Sequence, residues 1–189
     1  MTGPGADASL MTMAGDATGL TVEMAAGQLR LGPRRMVLLQ PQVLLELQKS
    51  LEDHLGSRAG EYFYTAGHGW AVGETRRLKT ALVEEGASLA GLFCSRMGEM
   101  GWGQWRLAGL DREAGLLRVE VEDSPLALEY GPADEPVCHL LAGLVAGLAE
   151  VLLGAPASCR EISCLARQEA SCQFEARAQQ VDQSDSWSW

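Results

Sequence analysis

A chain of 189 residues, 47% hydrophobic and 21% charged, can bury a core without disulfide staples and has the composition of one ordinary globular domain. Its 25 acidic against 15 basic residues leave a net charge of −10. That excludes a general nucleic-acid binder, because phosphate contacts need clustered Lys and Arg, and the basic pairs here are only Arg34-Arg35 and Arg76-Arg77. No apolar run is long enough to span a membrane, and no basic segment leads into an apolar one at the start, so a cytoplasmic protein is expected. Five cysteines in that setting point to metal ligands or buried thiols rather than disulfides.

Residues 1–20, rich in Gly, Ala, Thr and Asp without apolar periodicity, read as a tail. Residues 28–32 and 35–39 read as strands around a Gly-Pro turn. Pro41 suits the first turn of a helix, and Leu44, Leu47, Leu51 and Leu55 recur at helical spacing before Gly56. Residues 58–70 read as a second helix running into a Gly67-His68-Gly69 loop. Residues 74–97 read as a third helix, weakened by about 1 kcal/mol at each of Gly86 and Gly91. After a glycine-punctuated break at 98–103, residues 104–110 and 116–121 form a hairpin, the second strand alternating Leu117, Val119 and Val121 with Arg118, Glu120 and Glu122. Residues 126–130 read as one more strand. Residues 135–153 read as a helix in which Ala142, Gly143, Ala146, Gly147 and Ala149 admit a neighbouring backbone. Strands at 157–162 and 171–176 close the domain, and residues 178–189, with Trp187 and Trp189, read as a second tail. The order is α+β: an antiparallel sheet packed with helices. It forms one ligand-binding domain over 21–177, whose part from 101 to 177 holds the most distinctive chemistry.

That chemistry is the spacing of Cys138, Glu161, Cys164 and Cys172. Three thiols and a carboxylate can close around a structural zinc ion with no open position. Such an ion would pin the small-residue helix to the last two strands and couple its own binding to folding. Buried apolar thiols are the alternative. Cys159, two residues before Glu161, and His139, next to Cys138, are rival ligands; Cys94 reads as a core thiol. The aromatic side chains gather at 62–70 and 93–105, so Tyr62, Tyr64, His68, Trp70, Phe93, Trp102 and Trp105 are candidate walls of an apolar pocket, with ordinary core packing as the competing reading.

Gly101-Trp102-Gly103-x-Trp105, Asp123-Ser124-Pro125, Pro136-Val137-Cys138, Gly143-x3-Gly147, Leu153-Gly154, Glu161-x2-Cys164 and Cys172-x-Phe174 follow one another in the order seen in the 4-vinyl reductase domain family of predicted hydrocarbon-binding proteins. The stretches at 27–32 and 35–39 resemble the sensor domains of phenol- and xylene-responsive activators. The resemblance covers roughly residues 25 to 177. It implies an α+β fold related to vesicle-tethering subunits, a zinc site falling on Cys138, Glu161, Cys164 and Cys172, a homodimer, and an aromatic effector in a closed apolar pocket. Phenol sensors of this type bond the phenol hydroxyl with a His that is absent from Ser88-Leu89-Ala90-Gly91. The ATPase and DNA-binding modules that follow in the activators are not among these 189 residues. Proteins named bacteriochlorophyll 4-vinyl reductase are also similar, which implies tetrapyrrole reduction or its assembly as an alternative; a protein-interaction scaffold is a second. No glycine-rich stretch lies between a strand and a helix as a dinucleotide site requires, and a closed four-ligand zinc leaves no place for an activated water. The residues therefore favour a zinc-stabilised binding or sensing domain for a hydrophobic small molecule, acting through protein contacts, over an enzyme.

Overall fold

The computed structural model describes residues 13–14, 21–25, 28–31 and 34–179. The chain divides into two compact units, Met1–Gln40 and Pro41–Trp189. In the first, strands β1 (Met13–Ala14), β2 (Thr21–Ala25), β3 (Gln28–Leu31) and β4 (Arg34–Met36) form an antiparallel meander in chain order. Leu29 stands opposite Met36, so the two expected strands do pair, though the second ends at Met36. Of the expected tail at 1–20, Met13 and Ala14 are described and form β1; the rest lies outside the described residues. So does the expected tail beyond Gln179, with Trp187 and Trp189, while Ala178 is the last residue of a strand.

The second unit begins with α1 (Pro41–Leu55), α2 (Ala59–Leu82) and α3 (Gly86–Glu99). The hairpin β5 (Gln104–Asp111) and β6 (Leu116–Glu122) follows, then α4 (Pro125–Tyr130), α5 (His139–Leu153), β7 (Ala157–Ser163) and β8 (Cys172–Ala178). The four strands make one antiparallel sheet in the order β5-β6-β8-β7. Leu117, Val119, Val121 and Phe174 point to the helices and are buried, while Arg118, Glu120 and Glu122 face outward, as period-two patterning requires.

Helix α5 is buried on nearly every side: ten of its fifteen residues are inaccessible, which places it at the centre rather than on the surface. One flank meets β7 and β8, the other meets α2 backbone to backbone. A Cβ at Gly147 would lie 2.5 Å from the carbonyl oxygen of His68, and one at Gly67 would lie 2.3 Å from that of Leu140. The small-residue pattern of α5 thus does admit a neighbouring backbone, and α2 answers with a glycine of its own.

Three expectations are corrected. The expected loop at Gly67-His68-Gly69 lies inside α2, because Gly67 serves close helix packing rather than chain reversal. The expected single helix over 74–97 is split by a turn at Val83 and Gly86, both with positive φ (55° and 59°). The expected strand at 126–130 is α4: Ser124 caps it by accepting the Ala127 N–H at 3.5 Å, and Pro125 occupies its first turn. Helix α5 also starts at His139 rather than 135, since Cys138 is its N-cap.

Candidate metal centre and apolar cavity

Cys138 ends the loop before α5, Glu161 sits on β7, Cys164 follows that strand and Cys172 opens β8. The fold brings their donor atoms within 4.8 Å of one another. The sulfurs of Cys138 and Cys172 are 3.7 Å apart. Donors around a tetrahedral ion with metal–sulfur bonds of about 2.3 Å stand about 3.8 Å apart, so this spacing already suits one. All three thiols are fully buried. One Glu161 oxygen accepts the backbone N–H of Cys138 at 2.9 Å, and the other is buried without a hydrogen-bond partner. An orphaned buried carboxylate oxygen facing three sulfurs is the donor a cation would satisfy. Cys159 and His139 are not in the group. Cys159 donates its backbone N–H to the Tyr64 hydroxyl at 2.9 Å, and the His139 ring packs on Gly60. Cys94 is a buried thiol of α3, pushed up to about 12 by burial.

The protonation states follow from crowding. Cys164 is held below the usual thiol range because Cys138 and Cys172 both direct hydrogen bonds to its sulfur. Cys138 is raised by those same contacts and by burial. At Cys172 the contact with Cys138 favours the thiolate, but the contact with Cys164 and burial outweigh it, and its pKa rises. Burial, then the charge at Cys164, pushes Glu161 up to about 8. Without a cation the cluster holds one negative charge at most comfortably; a divalent ion would relieve the repulsion that keeps the other groups protonated.

Beside α5 lies an apolar cavity of about 240 Å³, lined by Ala66, Gly67 and Trp70 of α2, Met97 of α3, Trp102, and Leu140 and Leu144 of α5. Trp70 and Trp102 are the two expected aromatic residues that reach it. Phe93 stands behind them, edge-on to Trp70 (6.4 Å between centroids) and to Trp105 (6.2 Å). Trp105 donates its indole N–H to the Trp102 carbonyl at 2.9 Å, which fixes the turn carrying Trp102. The other three expected residues lie elsewhere. Tyr62 is exposed, and the Tyr64 hydroxyl is tied to β7. His68 pairs with Glu150 at 3.1 Å. Sequence reasoning missed Ala66, Met97, Leu140 and Leu144; the signal available was helical spacing, with Ala66 and Leu140 each four residues from a partner on the same wall, Trp70 and Leu144. A larger hollow of about 570 Å³ is lined by polar groups including Glu52, Tyr130, Asp134 and Glu135, which ill suits an apolar ligand.

An α+β domain with a preorganised thiol–carboxylate cluster and an apolar cavity sharing one helix is the class this geometry defines. Within it, residues 117–178 match the 4-vinyl reductase domain family. That span contains all four donor residues but not the α2 and α3 walls of the cavity. No match is found among curated proteins. Three solved structures share the fold. The phenol-responsive sensory domain of the transcription activator PoxR, solved with phenol, is 24% identical with a TM-score of 0.71, covering 83% of this chain and 84% of that one. A trafficking protein particle complex subunit 3 from Naegleria fowleri, covalently bound to palmitic acid, is 11% identical with a TM-score of 0.53 over 74% and 95%. A vinyl-4-reductase family protein from Methanocaldococcus jannaschii is 14% identical with a TM-score of 0.50 over 75% and 82%. No helix among the described residues is long and apolar enough to cross a membrane.

Proposed function

We propose that this chain is a cytoplasmic, homodimeric binding or sensing domain for a small apolar molecule, stabilised by a zinc ion on Cys138, Glu161, Cys164 and Cys172. The observation that carries the reading is the shared helix: α5 contributes Leu140 and Leu144 to the apolar cavity and begins at Cys138 of the cluster. Zinc fits the donor set because thiolates favour it and four protein donors close the site. The ion would be structural, holding the N-terminus of α5 against β7 and β8 and so holding one cavity wall. The cavity, at about 240 Å³, is smaller than the roughly 300–1,000 Å³ of pockets for drug-sized ligands, which favours a single-ring hydrocarbon over a tetrapyrrole. The phenol bound by the PoxR sensory domain is a molecule of that size class.

The test is native mass spectrometry of the purified protein, followed by melting curves with toluene, phenol and a porphyrin. Retained zinc, a dimer, and a melting temperature raised by the single-ring compounds alone are expected. Folded protein without zinc would overturn the metal assignment, and stabilisation by porphyrin alone would overturn the ligand class.

A further inference from the structure

The outward face of the sheet carries an excess of guanidinium groups that neither the cavity nor the metal cluster uses. Arg118 on β6, Glu175 on β8 and Arg160 on β7 stand side by side in one cross-strand row. Arg177, two residues beyond Glu175, points to the same face. Both Nε and one terminal nitrogen of Arg118 donate to one Glu175 oxygen at 3.0 and 2.9 Å. Arg177 does the same to the other oxygen at 3.0 and 2.8 Å, and Arg160 stands 3.9 Å from it. The result is three positive charges around one negative charge. The Glu175 side chain is only 7% exposed beneath them, whereas those of Arg118, Arg160 and Arg177 are 51%, 77% and 58% exposed. The guanidiniums of Arg118 and Arg177 hold Glu175 below the usual carboxylate range, so it stays charged and keeps them in place.

Each guanidinium has five N–H donors and spends at most two on Glu175. Like charges on adjacent strands destabilise a sheet, so this arrangement is at odds with the −10 net charge of the chain unless something anionic completes it. We infer that Arg118, Arg160 and Arg177 form a docking surface for an acidic segment of a partner protein, with the buried Glu175 as its organiser. Planar guanidiniums pair with carboxylates bidentately, and Arg is enriched where interfaces bind tightly. A short peptide can set its carboxylates on these three residues and avoid Glu120 and Glu122, which lie farther along the same face. A DNA backbone or an anionic lipid surface presents charge too broadly to avoid them, and three arginines fall short of a nucleic-acid footprint.

The probe is an acetylated hexaglutamate peptide titrated into the full chain. Binding is expected at low salt, weakening as salt rises, and falling at least tenfold in R118Q/R160Q/R177Q. R58Q, remote from the sheet, leaves it unchanged. Should the triple variant fail to fold, R160Q serves instead, since Arg160 is the most exposed of the three, and a loss of several-fold is expected. Absence of peptide binding, binding insensitive to these changes, or tighter binding of a DNA duplex or of phosphatidylserine vesicles would each overturn the proposal.

Discussion

Gly143 of α5 lies against Tyr64 of α2 so closely that a Cβ at position 143 would stand 2.1 Å from the Tyr64 carbonyl oxygen. Backbone cannot yield as a flexible side chain can, so Gly143→Ala must push α2 and α5 apart. A loss of about 3 kcal/mol is expected, at the upper end of overpacking costs. Gly69→Ala, in the same helix as Tyr64 but with nothing near its added methyl, should instead gain up to about 1 kcal/mol from helix propensity. Thermal unfolding of the two variants decides: equal effects would show that the contact does not govern the helix pair.

Cys164→Ala removes a donor from the cluster and Cys94→Ala removes a buried thiol outside it. Metal analysis should find about one zinc per chain in the native protein and in Cys94→Ala, and close to none in Cys164→Ala. Cys94→Ala is expected to lose only the stability of a small buried group, about 1–2 kcal/mol. Zinc retained in Cys164→Ala would remove Cys164 from the ligand set.

Zinc binding should release protons in a number set by the cluster. At pH 7 Glu161, raised to about 8, is largely protonated; Cys138 and Cys172 are raised thiols, while Cys164 is already a thiolate. About three protons per zinc are expected, read by calorimetry in buffers of different ionisation enthalpy. In the metal-free protein the sign is separate. Folded Glu161 holds a proton that the unfolded chain has lost, so stability falls as pH rises from the ordinary carboxylate range through about 8. Glu161→Gln, which cannot ionise, should flatten that slope in denaturant melts.

Ala66 is exposed yet lines the apolar cavity, so Ala66→Trp can fill the cavity mouth at little cost to folding. The ligand-induced rise in melting temperature should disappear while the melting temperature without ligand moves by only a few degrees. An unchanged response would place the ligand elsewhere.

The legible parts of the chain were those whose chemistry is local. Strands β5 and β6 announced themselves by alternation across a five-residue turn, and α1 by its leucine spacing. The Cys138, Glu161, Cys164 and Cys172 set stood out because thiols and a carboxylate recur with few competitors. Less legible were the elements whose local signals conflict. Ser124-Pro125 is a helix start, but the apolar run after it also has strand character. Gly67-His68-Gly69 looks like a loop because glycine's two uses, conformational freedom and absence of bulk, cannot be told apart in one sequence.

Composition, periodicity and the cysteine spacing by themselves determined an α+β chain with a small-residue helix and a set of metal-type donors. The convergence of those donors within 4.8 Å, with one Glu161 oxygen left without a partner, was decided by tertiary structure. So was the choice of Trp70 and Trp102, but not Tyr62 or His68, to face the cavity. The physical reason is that donor distances and cavity walls depend on how close α2 and α5 approach. That closeness is set by pairs of residues far apart in the chain, Gly67 with Leu140 and Gly143 with Tyr64, each of which has no meaning without the other.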